Sequence, residues 1–363
     1  MTKRIGVLTG GGDCPGLNGV IRAVTLHARH TFGWDVIGIR HGFQGLYDED
    51  IVLLTSQTVQ GVLGRGGTIL GSNNRANPFA YALTLPDGRR EIHDVSARCI
   101  KTLNDLDLLG LVVVGGDGTM AVAQKFIDRG ATHIVGVPKT IDNDLATTEY
   151  TVGFQSAVEV VVEQLERLHT TAESHDRIIV VEVMGRYAGW IGLTAGLAGG
   201  AHVVLIPEIE YDPARVIDAL HRRHGRGNSY SIIVVAEGAK QQGGSYSVEA
   251  AGDATRAERL GGAAAKLVDL IASKTDYEVR ASVLGHIQRG AEPCAFDREL
   301  ATRFGVKAVD MIAAGEFGHV AALEVGHVVA KPIETAIAKL KVCDAGGELV
   351  RTARAIGIEL GAA

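Results

Sequence analysis

Three carboxylates stand where they can handle a phosphoryl group: Asp117 in Gly115-Gly-Asp-Gly-Thr119, and Asp142 and Asp144 in Thr140-Ile-Asp-Asn-Asp144. Glycines around Asp117 let a polyphosphate approach, and magnesium usually takes one or two protein carboxylates plus phosphate oxygens. Asp142 and Asp144, two residues apart in what reads as an extended loop, point the same way. One can then take a proton while the other supports the metal. An earlier loop, Gly10-Gly-Gly-Asp-Cys-Pro-Gly16, offers unobstructed backbone N–H groups at the start of a helix whose dipole favours an anion. Each stretch also has a plainer reading: a tight strand-to-helix turn, a helix cap at Asp117, an Asx turn after a strand.

The elements that must position these residues follow from periodicity. Ile5 to Leu8 reads as a strand and Asn18 to His30 as a helix, with the glycine loop between them. Trp34 to Ile39, Leu109 to Val114 and His133 to Val137 read as further strands, Val95 to Leu106 and Met120 to Asp128 as helices. Val62 to Phe79, rich in Gly and Asn, reads as a loop near the ligand. The alternation continues with helices Gln155 to Thr171, Trp190 to Ala198, Pro213 to His224, Ala257 to Ser273 and Phe296 to Ala314. Strands Ile178 to Met184, Val203 to Ile206, Ser231 to Ala236 and Glu278 to Leu284 lie between them, and Gln241 to Asp253 reads as an exposed connection. Such alternation predicts an α/β fold of two doubly wound, mainly parallel sheets, which bind ligands outside the carboxyl ends of their strands. At 363 residues two domains are expected.

Composition excludes several classes. A net charge of −6 argues against a dedicated nucleic-acid surface, so an anionic ligand must be met by local Arg, Lys and backbone N–H groups. No run reaches the roughly 18 apolar residues of a spanning helix, and the N-terminus reads as a strand rather than a signal peptide. Cys14, Cys99, Cys294 and Cys343 are far apart with no CxxC, so neither a zinc site nor a disulfide framework is indicated. A soluble cytoplasmic protein is expected, with no membrane or nucleic-acid partner. Arg177, Met184-Gly-Arg186, Glu237, Arg280 and His286-Ile-Gln-Arg289 fall at strand ends, where arginine can clamp phosphate through its planar fork. Any one of them alone reads as a solvated surface side chain.

Taken together, the motifs resemble the phosphofructokinase A family from Ile5 to about Leu340. Gly11-Gly-Asp-Cys-Pro-Gly-Leu-Asn18, Gly115-Gly-Asp-Gly-Thr119, Pro138-Lys-Thr-Ile-Asp-Asn-Asp144, Val183-Met-Gly-Arg-Tyr-Ala-Gly189 and Val283-Leu-Gly-His-Ile-Gln-Arg-Gly290 carry the likeness. The resemblance implies ATP-dependent phosphorylation of the 1-hydroxyl of fructose 6-phosphate, with Mg²⁺ as cofactor. It implies Asp142 as the base, aided by Thr140 and Arg186, and Asp117 as the metal-holding carboxylate with Asp144 as a second candidate. Gly12, Arg75, Ala76, Gly116, Asp117, Gly118 and Thr119 would meet the donor. The sugar phosphate would fall to Thr140, Ile141, Asp142, Met184, Gly185, Arg186, Glu237, His286, Ile287, Gln288 and Arg289. Arg177 and Arg280 would arrive from a neighbouring subunit of a homodimer or homotetramer with shared active sites. The implied domains are 1–153 with 288–340 for the donor and 154–287 with 341–363 for the sugar phosphate, the active site lying in the cleft between them.

Donor choice rests on two positions. Pyrophosphate-using relatives typically carry Asp where this chain has Gly118, and Gly118 leaves room for the rest of ATP. Lys139 points the other way, since it resembles the pyrophosphate users; Gly118 together with Lys139 marks the mixed-substrate group. The expected donor is ATP, with reversible use of pyrophosphate as the alternative. Where the allosteric bacterial enzymes place basic residues for effectors, this chain has Leu26, His169 and Asn228, so a weak effector response is expected. A catalytically dead nucleotide sensor and an NAD or lipid kinase are the rival readings, and each leaves part of the acidic and arginine set without a role.

Overall fold

The computed structural model describes residues 2–84, 87–245, 247–250 and 259–362. The chain divides into two compact units, Met1–Ser156 with Arg289–Leu340, and Ala157–Gln288 with Lys341–Ala363.

The first unit is built on a seven-stranded sheet. Its spatial order is His327–Pro332, His319–Glu324, Ile134–Pro138, Leu111–Gly115, Arg4–Thr9, Asp35–Ile39 and Ile51–Leu54. The five inner strands are parallel. Leu111–Gly115 and Ile134–Pro138 are buried at every position, as strands covered on both faces must be. Phe126, from the helix Asp117–Asp128, packs with Leu8, Val113 and Ile134. From Arg4–Thr9 the chain goes first to Asp35–Ile39 on one side, and later to Leu111–Gly115 on the other. The order therefore reverses between Thr9 and Gly115, the point at which open α/β sheets leave a crevice for ligand.

The two edge strands, Ile51–Leu54 and His327–Pro332, run antiparallel to their neighbours, and Tyr81–Thr84 pairs with Arg90–His93 in a separate hairpin. These strands carry too little apolar alternation to stand out in the sequence. Ile51 and Leu53 remain 40% and 50% exposed, because only one side of an edge strand is covered.

The second unit has a four-stranded parallel sheet in the order Val279–Val283, Ile178–Val183, Ser231–Ala236, Val203–Leu205. Its order reverses between Ile178–Val183 and Val279–Val283, so the loops that follow these two strands flank a second switch point. The Ala263–Lys274 helix starts later than its apolar pattern suggests; residues 251–258 lie outside the described residues. Gly261 and Gly262 have φ of 157° and 83°, which ends the preceding strand. The buried Glu182 carboxylate then accepts from Gly262 N at 3.2 Å and Ala264 N at 2.8 Å. In the 241–253 stretch, Gln241 to Ser245 are exposed, Val248–Ala250 pairs with Arg259–Leu260, and Tyr246 and 251–253 lie outside the described residues.

Asp297, wholly buried in the first turn of Ala295–Ala314, ties the first unit's later segment to its earlier one. It accepts from Gly153 N at 3.0 Å, Ser156 N at 2.8 Å and Ser156 Oγ at 2.5 Å. Asp297→Ala strands those donors, and about 3 kcal/mol of stability should be lost. Urea unfolding monitored by far-UV circular dichroism would show a lower midpoint; an unchanged midpoint would mean the anchor is dispensable.

Candidate functional site

In the first unit, the helices that begin at the switch point start on glycine without a side-chain cap: Gly16 before Leu17–Phe32, and Gly116 before Asp117–Asp128. Their first N–H groups, with the positive ends of the helix dipoles, are left for a ligand. Thr119, itself buried, fills the gap between the two loops. A Cβ on Gly115 would come within 2.3 Å of the Thr119 side chain and one on Gly10 within 2.7 Å, so both must be glycine. Asp117 is the first helical residue rather than the cap, and it is exposed. Gly118 is exposed too, with open space where its Cβ would stand.

The 62–79 stretch is held beside these loops. The Asn18 amide donates to Arg65 O at 3.1 Å and Gly66 O at 3.2 Å, and its oxygen accepts from Ile69 N at 2.8 Å. Thr9 Oγ1 donates to Gly71 O at 2.8 Å. Arg75 is exposed on this stretch, with its N–H on Asn73 Oδ1 at 2.7 Å; Ala76 beside it is buried.

Lys139 is buried at 3% exposure, and its ammonium donates to the Gly12 carbonyl. Burial lowers its pKa, and the positive Arg289 adds to this, while Cys14 opposes it. The Arg289 guanidinium lies against Gly12 and donates to Asp13 O at 3.1 Å. Two cations thus brace the first loop from one side.

The loop after Ile134–Pro138 departs from the extended shape expected of it. Asn143 has φ 50°, a left-handed kink, and its side chain accepts from Thr151 N at 3.1 Å and donates to Glu149 O at 3.3 Å. Asp142 and Asp144 thus flank a left-handed residue, so strand alternation does not relate their side chains. Asp142 N donates to Thr140 Oγ1 at 3.1 Å, and Ile141 is wholly buried, so only its backbone is left for a ligand.

Burial raises the Asp142 pKa, and Asp117 pushes it the same way, against the pull of Arg289 and Lys139. Asp144 is pushed up to about 7, by burial first and then by Asp142 and Asp117. The Asp117 charge therefore acts on both Asp142 and Asp144, and the Asp142 charge acts on Asp144. Asp144 Oδ1 is buried with no hydrogen-bond partner among the described residues. No cluster of three or more His, Cys, Asp or Glu with metal-holding geometry occurs among the described residues.

In the second unit, Met184–Gly189 follows Ile178–Val183 and bears Arg186, whose guanidinium lies 5.0 Å from the Tyr187 ring centroid. Gly185, at φ 143°, accepts from Gly238 N at 3.1 Å, which fixes the loop to the end of Ser231–Ala236 beside Glu237. Gly189 N donates to Glu208 Oε1 at 2.9 Å. His286 and Ile287 are exposed on the turn Gly285–Arg289.

Gln288 differs from its exposed neighbours His286 and Ile287. It is wholly buried, its oxygen accepting from Met184 N at 3.2 Å and its amide donating to Gly285 O at 3.0 Å. One bond from each end braces Met184 and the turn from within. His202 and His169 are likewise internal: His202 Nδ1 accepts from Ile232 N at 2.9 Å, and His169 Nε2 lies 2.8 Å from Gly199 O. A cavity of about 170 Å³ lined by Leu103, Leu108, Leu111, His133 and Ile134 sits at the opposite, amino ends of the first unit's strands.

Residues 4–312 match the family described as phosphofructokinase. The chain belongs to the phosphofructokinase family. An "ATP-dependent 6-phosphofructokinase 2" of Clostridium perfringens is 48% identical to it over 358 residues, covering 98% of each chain. A "pyrophosphate–fructose 6-phosphate 1-phosphotransferase" of Streptomyces coelicolor is 47% identical over 342 residues, 94% of this chain and 96% of that one. Among solved structures, the phosphofructokinase of Saccharomyces cerevisiae superposes with a TM-score of 0.76 at 29% identity, over 93% of this chain. This phosphofructokinase-family chain spans 45% of the yeast one.

Two side chains of the sites went unread in the sequence. Asn18 ends the first glycine motif, and that position was its only signal. Glu208, which caps Trp190–Ala198 through Gly189, sits in a Pro-Glu pair with no chemistry of its own to announce it.

The carboxylate pair makes a pH prediction with a definite sign. A carboxyl raised to about 7 in the folded chain binds protons that the unfolded chain has released. Its ionisation therefore removes stability as pH rises from about 3.8 through about 7. Activity runs the opposite way for any reaction that uses the ionised carboxylate as its proton acceptor. In Asp144→Asn the second charge is gone, so the acid limb of kcat/KM should move to lower pH and stability at pH 8 should rise. A limb that stays in place would show the two carboxylates to be independent.

Proposed function

We propose that this chain is a 6-phosphofructokinase that transfers the γ-phosphoryl group of ATP to the 1-hydroxyl of fructose 6-phosphate, giving fructose 1,6-bisphosphate. Gly12, Arg75, Ala76, Gly116, Gly118 and Thr119 hold the donor, whose phosphates meet the backbone N–H groups of two glycine-capped helix starts. Met184, Gly185, Arg186, Glu237 and His286 of the second unit are assigned to the sugar phosphate, as are Thr140, Ile141 and Arg289 of the first. Exposed Ile287 is retained in this set, and Gln288 serves it only from within. Asp142 accepts the proton of the 1-hydroxyl, and Thr140, bonded to the Asp142 amide, keeps that carboxylate in place. No covalent intermediate is needed: phosphoryl transfer is mainly positioning and charge neutralisation, which Arg75 and Arg186 provide from the protein side.

The residues present fit magnesium. Asp117 is exposed at a helix start, Asp144 has a buried oxygen without a partner among the described residues, and no closed protein cage surrounds them. That is the donor set of an ion shared with phosphate oxygens, held by Asp117 with Asp144 in support. Such an ion neutralises charge on the transferring phosphoryl group.

The observation that carries ATP over pyrophosphate is the open space at Gly118, beside Asp117. An aspartate there would fill the space with bulk and negative charge, against another phosphate. Pyrophosphate is kept as the second reading because of buried Lys139 and the Streptomyces coelicolor relative. Among the described residues Arg280 lies on the edge strand Val279–Val283, where Val283 is 63% exposed, and Arg177 precedes the strand beside it; both are assigned to the active site of a second copy of the chain.

A coupled assay on fructose 6-phosphate with each donor tests the reading. ATP should give the higher kcat/KM; a higher value with pyrophosphate would reverse the donor assignment, and no turnover with either would overturn the function.

A further inference from the structure

Arg177 and Arg280 are not free of one another. Arg177 follows Asp176, whose φ of 52° turns the chain sharply after the helix Phe154–Ser174 and into Ile178–Val183. Arg280 lies on the neighbouring strand, paired with Ile179. Between them, Glu278 Oε1 is 2.8 Å from Arg177 Nε and 2.7 Å from an Arg280 terminal nitrogen. Its backbone is fixed as well, since Ile178 N donates to Glu278 O at 2.9 Å.

One carboxylate oxygen thus serves two guanidinium groups beside the strand that forms the sheet's edge among the described residues. Two like charges so placed repel each other unless an anion stands between them, and a planar guanidinium takes carboxylate and phosphate oxygens in the same geometry. All three side chains are open to solvent, at 29%, 40% and 61% exposure for Arg177, Glu278 and Arg280. A small anion can reach the same nitrogens.

We propose that Glu278 is the resting occupant of an anion seat made by Arg177 and Arg280, and that it limits how tightly the seat takes a phosphate monoester. The inference rests on the assignment of these arginines to the sugar phosphate. With Glu278 the trio carries a net charge of +1, and a dianionic phosphate must displace the carboxylate or sit beside it. With a neutral amide in its place, the seat carries +2 and has no internal competitor. Glu278 therefore keeps the arginines assembled while the seat is empty and weakens phosphate binding when substrate arrives.

The test compares Glu278→Gln, Arg177→Ala and Arg280→Ala in the full-length enzyme at saturating donor. Exposed ion pairs are weak, so Glu278→Gln should lower the KM for fructose 6-phosphate by about two- to five-fold and leave the donor KM unchanged. Inorganic phosphate, used as a competitive inhibitor, should show a Ki lowered by a similar factor, and both gains should shrink as salt rises. Both arginine variants should raise the KM. If they do so while Glu278→Gln leaves KM and Ki unchanged, or raises them, Glu278 is a brace and not a competitor, and the proposal fails. If neither arginine variant alters the KM, the assignment of the arginines to the sugar phosphate fails first and the proposal falls with it.

Discussion

The first unit turns on holding Asp142 and Asp144 within reach of the Asp117 charge, in the loops that follow neighbouring parallel strands. Water alone would keep Asp142 and Asp144 fully ionised, and burial works against that. The opposing charge comes from Lys139 and Arg289, which pull Asp142 back toward its ionised form. Both cations spend hydrogen bonds on the first loop, Lys139 on Gly12 and Arg289 on Asp13. The balance is one of proximity in a poorly hydrated place, and a carboxylate whose pKa is raised in this way is a stronger base than an ordinary one.

Backbone geometry makes that arrangement possible. The kink at Asn143, held by Thr151 N and Glu149 O, separates the two aspartates, while Thr119 packs on Gly10 and Gly115 to set the spacing of the two loops. The second unit uses a parallel device: Gly238 and Gln288 fix the Arg186 loop from two sides, and Glu208 closes its far end. Asn143 and Thr151 in the first unit, and Gln288 and Glu208 in the second, hold loops without being offered to a ligand themselves. This division lets the reacting side chains stay open without losing position.

Much of this was legible in the sequence. The fully buried runs Leu111–Gly115 and Ile178–Val183 announce parallel strands, and glycine or carboxylate at their ends announces ligand loops. What stayed hidden has physical reasons. The antiparallel edge strand Ile51–Leu54 is half covered and short, and the Tyr81–Thr84 hairpin is largely exposed, so neither carries a strong periodic signal. A left-handed Asn143 is invisible to a pattern of side-chain types, though it decides where its neighbours point. Gln288 sits in a motif whose other members face outward, and only its three-dimensional burial separates it from them. Glu278 looks like any surface carboxylate until two strands place an arginine on each side of it.

The claim beneath all of this is that Asp142 is the proton acceptor and that binding is handled by other groups. Asp142→Asn keeps the shape of the side chain and its backbone hydrogen bond to Thr140 while removing the base. Its kcat should fall by about a thousand-fold or more, while the dissociation constant for fructose 6-phosphate, read by calorimetry, stays within about three-fold of the parent enzyme. A variant that turned over at close to the parent rate would contradict the account.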